Sequence, residues 1–172
     1  MTVSSGLRQT SSMIVAFFES IKYVGHIVPV AILRIFLGFH YLNESLAKSR
    51  GEFLDQPRLA AQIEEWLPTT GAPEFYRNFL ENVVVLHWYP FAYLIVTIQL
   101  LVGISLVVGF LVRPFTILAI FLSLHYIYTT SPAEILLNKT LLGTNIMLCW
   151  LGAGRCLGFD YFFFKRHRGI WW

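Results

Sequence analysis

Five polar side chains interrupt long apolar runs: Arg34, His40, Gln99, His125 and Asn145. Each type can do chemistry in a dry interior. A guanidinium holds an anion or a carbonyl oxygen. An imidazole donates to a quinone oxygen or ligates iron, and a primary amide both donates and accepts. Arg34 is the sharpest of the five. It sits in Ile27-Val-Pro-Val-Ala-Ile-Leu-Arg34-Ile-Phe-Leu-Gly38-Phe-His40-Tyr-Leu, a run long enough to cross a bilayer. A charge at mid-membrane costs at least about 2.5–3.5 kcal/mol, so the interior of a helix bundle must answer it.

The rise along a helix sets the depths. Measured from the outer surface, Arg34 lies about 18 Å in, Gln99 about 14 Å and Asn145 about 16 Å. Three helices thus contribute to one layer, and the amide carbonyls of Gln99 and Asn145 are expected to accept from the guanidinium, with backbone carbonyls completing the set. Such a layer is either a structural clamp, the favoured reading, or a site for an anion or a quinone carbonyl. His40 and His125 form a shallower layer, about 9 Å and about 8 Å deep. Paired there, they could hold a haem iron or donate to a quinone oxygen. The plainer reading is two independent histidines bonded to backbone or to Tyr41 and Tyr126. A quinone is the better candidate ligand than haem, and no intrinsic cofactor is expected. Glu44 and Lys48 stand at i,i+4 and should pair.

The elements that must position these residues are helices in a bilayer. The chain is 56% hydrophobic and 13% charged, with mean hydropathy +0.60, against about 25% charged for a soluble domain. Four runs approach the length of a span, about 27–46, 90–112, 114–130 and 133–152. The expected fold is an all-α membrane protein, a four-transmembrane-helix bundle over 27–152. Residues 1–26 form an N-terminal segment, with Met13–Val24 lying at the interface and no cleavable signal evident. Residues 153–172 form a basic tail. The insert 47–89 reads as two amphipathic helices, a lid or a plain cap. One is marked by Leu59, Ile63, Trp66 and Leu67, the other by Phe75, Phe79 and Val83.

Charge sets the expected orientation. The insert holds Lys48, Arg50, Arg58 and Arg77 against six acidic residues, whereas Arg113, Arg155, Lys165, Arg166 and Arg168 cluster at the opposite end. The basic end is expected in the cytoplasm, with both termini there and the insert outside. This places the chain in the inner (cytoplasmic) or another energy-transducing membrane. The net charge of +3 then follows from topology and calls for no nucleic-acid partner. Cys149 and Cys156 fall on the reducing side, where a structural disulfide is not expected, and no metal spacing is present. The glycines at 152 and 154 are no nucleotide fingerprint, because no strand precedes them.

Several of these features together resemble the DoxX/DoxD-like family of small four-span membrane proteins. Leu33-Arg34 with Gly38 and the following Lys48 resembles that family's first span. Gln99 through Gly103 and Gly109 to Arg113 resembles its second, with Gln99 where the family usually carries Glu. Gly152-Ala-Gly154-Arg155-Cys-Leu-Gly158-Phe-Asp160 resembles its closing motif, a turn that Arg155 and Asp160 would pin. Pro73-Glu-Phe75-Tyr76-Arg-Asn-Phe79-Leu80 is more like the DoxD branch, which is similar to a subunit of thiosulfate:quinone oxidoreductase. The resemblance implies a quinone-linked electron-transfer setting and partner membrane subunits. It implies no settled catalytic residues, and catalysis by this chain alone is not expected. The alternative is a non-catalytic accessory subunit of a larger bioenergetic complex.

Overall fold

The apolar runs become four long helices, joined at one end by the insert and the turn before Pro132 and at the other by the tight turn at Gly109. A computed structural model describes Val15 and residues 28–162. In chain order the helices are α1 (Val28–Arg50), α2 (Arg58–Trp66), α3 (Glu74–Phe79), α4 (Trp88–Val108), α5 (Val112–Thr129) and α6 (Pro132–Leu151). A 3₁₀ turn at Leu67–Thr69 follows α2, a π turn at Leu80–Val84 follows α3, and a 3₁₀ turn at Ala153–Arg155 follows α6. No strand occurs among the described residues. Two helices, α4 and α5, are long and apolar enough to cross a membrane. α1 and α6 match them in length but carry charge, Arg34, Glu44, Lys48 and Arg50 in one, Glu134 and Lys139 in the other.

Local chemistry sets the ends. α4 stops at Val108, short of the expected 112, because Gly109 turns left-handed at φ +73. A glycine there caps the helix without a Cβ penalty. α1 runs past 46 to Arg50, supported by Lys48 donating to Glu44 Oε2 at 2.9 Å one turn away. α6 opens with Pro132, whose missing N–H is not needed in a first turn.

The insert follows its amphipathic pattern in α2, which buries Leu59, Ala60 and Ile63, with Leu67 beyond. The stripe expected from Phe75, Phe79 and Val83 is corrected. Those three are exposed, and Leu80 and Val84 are buried instead. The π turn widens the helix here, and its first and last residues, Leu80 and Val84, are the side chains that enter the core.

α1 packs on α4, α5 on α6, and α4 on α5. The α1–α4 seam is close because both sides offer glycine. A Cβ on Gly38 would lie 2.9 Å from the Val107 nitrogen, and one on Gly103 would lie 2.9 Å from the Leu42 nitrogen. One apolar core fills the insert end, around Ile63, Leu67, Leu80 and Ala92. A second fills the opposite end, around Leu37, Leu106, Val112 and Leu148. Apart from Val15, the helix expected over Met13–Val24 lies outside the described residues, as does the tail beyond 162. Residues 153–162, expected to begin that tail, fold back against the bundle through Arg34 and Gly109.

Candidate functional site

At the end away from the insert, the loop after α6 closes around Arg34. The guanidinium is fully buried. Nη1 donates to the carbonyls of Ala153 at 2.9 Å and Cys156 at 3.2 Å, and Nη2 to that of Leu157 at 2.9 Å. A planar fork suits this task, since it can serve several carbonyls at once without moving. Glycines make room for it. A Cβ on Gly158 would meet the Gly109 oxygen at 2.8 Å and Arg34 Nη1 at 2.7 Å.

Asp160 completes the same corner from the other side. Its Oδ1 accepts from the Leu111 N–H at 2.7 Å and its Oδ2 from the Val112 N–H at 3.1 Å, while its own N–H donates to the Gly109 carbonyl at 3.0 Å. A carboxylate on the free N–H groups of a helix start is a capping arrangement, here on α5. Burial pushes the Asp160 carboxyl above its ordinary pKa, opposed by those two N–H bonds and by the Arg34 charge. Leu111 and Leu157 both sit at positive φ, 54° and 51°. That conformation is uncommon for a branched residue, and both lie where Asp160 and Arg34 grip the chain. Arg113 flanks Gly152, whose Cβ would stand 3.1 Å from its Nη2. Arg155 shares the corner, its pKa lowered by burial and by the Arg113 charge.

Between α1 and α6 lies a polar cavity of about 250 Å³. α1 supplies His40, Glu44 and Lys48, α4 supplies Gln99, and α6 supplies Glu134 and Asn138. Lys48 donates to Glu44 at 2.9 Å and to Gln99 Oε1 at 3.3 Å, and its ammonium stands 5.0 Å from the centroid of the Tyr126 ring. At its floor, Asn145 Nδ2 donates to the Tyr41 hydroxyl at 2.7 Å and to Ser123 Oγ at 3.2 Å, bridging α1, α5 and α6.

On the other side of α5 lies a larger groove of about 590 Å³, between the insert and the α4–α5 pair. Its walls are almost wholly apolar, with Phe79, Phe91, Phe121 and Leu94 among them and His125, Tyr76 and Tyr128 as the polar exceptions. The Tyr76 hydroxyl lies 2.9 Å from His125 Nδ1, and Nε2 of that ring is buried without a hydrogen-bond partner among the described residues. Gln62 donating to the Thr129 carbonyl and Thr70 donating to that of Tyr128 fasten the insert over this end of α5.

The expected single layer of Arg34, Gln99 and Asn145 is not formed. α1 starts at Val28, so Arg34 sits only six residues from its beginning, level with the Gly109 turn and the 153–158 loop. Backbone carbonyls take its donors, Gln99 serves Lys48 instead, and Asn145 serves Tyr41 and Ser123. His40 and His125 do not pair either. Each lines a different cavity, because equal depth says nothing about the side of the helix a residue faces. Tyr76 and Asn138 were not anticipated as site residues. Asn138 could have been found, being seven residues from Asn145 and hence on the same face of α6. Tyr76 could not, since only the folded insert brings it to His125. Among the described residues no cluster of ligands could hold a metal ion.

Apolar helices, a polar interior and an arginine clasped by a glycine-rich loop define a small helical membrane protein. Comparison with known families narrows this. The family model DoxX matches residues 30–132, and the chain belongs to the DoxX family. The match takes in α1 through α5, with Arg34, Gly38, Lys48, Gln99 and Arg113, and stops before the 152–160 loop. No curated protein and no solved structure matches the chain.

Proposed function

We propose that this chain is a multi-span membrane subunit of a quinone-linked electron-transfer system, of the DoxD kind, and that the aromatic groove beside His125 is where the quinone binds. The observation that carries this reading is the pairing of a long apolar groove with one buried imidazole at its wall. A quinone has that composition, an apolar tail and two carbonyl oxygens that need donors. Pockets for such ligands are mostly apolar with a few placed polar groups. Burial first, and the neighbouring Tyr128 second, push the Tyr76 phenol up to about 12. It keeps its proton and, in this proposal, gives it to Nδ1, which puts the imidazole proton on Nε2, the atom free to donate to a quinone oxygen.

In this proposal all four long helices cross the bilayer of a cytoplasmic or other energy-transducing membrane. Both termini lie in the cytoplasm and residues 47–89 lie outside. The Lys and Arg asymmetry supports that orientation. The exposed apolar side chains of the long helices, such as Ile32, Phe36 and Trp150, then meet lipid. Thiosulfate is the donor the DoxD likeness suggests for the system, with oxidation carried out on another subunit.

A second reading is an accessory subunit that does no chemistry. Phe75 and Leu86, 76% and 70% exposed in the insert, favour it, because apolar side chains above the bilayer call for a covering partner. Titrating the purified chain with a short-tailed ubiquinone analogue, read by tryptophan quenching, separates the two. Saturable binding that His125→Leu weakens supports the quinone site. Absence of saturable binding leaves the accessory role.

A further inference from the structure

The apolar groove is graded along its length. α4 runs away from the insert and α5 returns toward it. The polar side chains that line the groove stand at the insert end, where the Tyr76 hydroxyl lies 2.9 Å from His125 Nδ1 and the Tyr76 ring 5.6 Å from that of Tyr128. At the other end the wall is Ile98 and Leu118. Ile98 packs against both apolar cores, so this end lies at the middle of the bundle. Leu118 precedes His125 by two helical turns, about 10 Å along α5. We infer that the groove takes a membrane-dissolved quinone with a long apolar tail, which enters sideways from the bilayer and lays the first stretch of its tail between α4 and α5 as far as Leu118. This rests on the quinone reading and adds to it which quinones are taken and which residue selects them.

The grading selects an amphiphile. A ring without a tail needs room only near its donors. It would leave the Ile98–Leu118 end unfilled, and a lining with nothing against it forfeits dispersion contacts. The open side of the groove faces lipid. Leu94 on α4 and Phe121 on α5 both line it, yet they are 51% and 65% exposed, so they form its lips on the outer face of the helix pair. The insert end is fastened instead. Gln62 and Thr70 tie the insert to α5, and the Phe79 ring stands 6.3 Å from that of Phe91. A tail that leaves between the lips stays in apolar surroundings, so only its first part needs the protein. Leaving lipid for the groove gives that part little hydrophobic gain, because lipid is equally apolar. Its contribution is fit, and Leu118 sets how deep it reaches.

The test measures equilibrium binding of two radiolabelled quinones with the same ring, one without a tail and one with a decyl tail, to the full chain in lipid nanodiscs. Leu118→Trp fills the deep end, and because Leu118 is partly exposed the larger side chain leaves folding intact. Each ligand is compared between parent and variant, so partition into the bilayer cancels. The variant should bind the decyl quinone about tenfold more weakly and the tail-less ring as the parent does. A diazirine at the end of the decyl tail should mark peptides carrying Ile98 or Leu118. An equal loss for both ligands, no loss for either, or tail-end adducts in residues 73–84 would overturn the inference and leave a quinone beside His125. Failure of both ligands to bind the parent would remove the quinone reading itself, and this inference with it.

Discussion

The Tyr76 hydroxyl lies 2.9 Å from Nδ1 of His125, and through this bond the insert orients the one imidazole in the apolar groove. Tyr76→Phe keeps the ring and deletes the bond. A buried nitrogen then loses its donor, at a cost of about 1–3 kcal/mol. Hydrogen exchange should quicken in residues 74–84 and the unfolding midpoint in detergent should fall. Unchanged exchange there would mean the bond does not hold the insert.

Arg34→Leu should be more damaging than Gln99→Leu. The first strands two buried carbonyls, of Ala153 and Cys156, each at about 1–3 kcal/mol, and the part-buried carbonyl of Leu157. The second leaves Lys48 still paired with Glu44 at 2.9 Å. Denaturation of the two variants in the same detergent checks the order. A Gln99→Leu protein less stable than Arg34→Leu would contradict the observed bonding.

Two glycine substitutions should move in opposite directions. At Gly158 an added methyl meets Arg34 Nη1 at 2.7 Å and backbone oxygen as well, so Gly158→Ala must open the clasp. At Gly143, inside α6, nothing lies within 4 Å. Gly143→Ala should therefore be neutral or gain up to about 1 kcal/mol of helix propensity. Melting curves of both report the result, and a tolerated Gly158→Ala would show that the loop is not tightly closed on Arg34.

A cysteine in place of exposed Glu65 tests the orientation. In intact cells it should react with a membrane-impermeant maleimide, counted above the background of Cys149 and Cys156. Labelling only after permeabilisation would put residues 47–89 in the cytoplasm.

The helices were legible because long apolar runs bounded by Pro and Gly leave few alternatives. Arg34 was legible as a residue that must be answered, and Lys48–Glu44 as a pair at helical spacing. What answers Arg34 was not. Depth along a helix says nothing of the loop that supplies the carbonyls, which comes from residues 119 to 123 positions later in the chain. The two histidines show the same gap. His125 and Tyr126 are adjacent, yet successive residues on a helix point about 100° apart. Tyr126 accordingly lines the polar cavity as well as its own neighbourhood, and His125 lines the apolar groove. Side-by-side packing decides such matters, and a single sequence does not record it.

The central claim is that a quinone occupies the groove beside His125. Photolabelling the purified chain with an azido-quinone, followed by peptide mapping, tests it most directly. The account predicts adducts on peptides carrying Phe79, Phe91 or His125, competed away by unlabelled quinone and lost in His125→Leu. Competable adducts confined to the polar cavity or to the Arg34 loop, or labelling that excess quinone does not reduce, would contradict it.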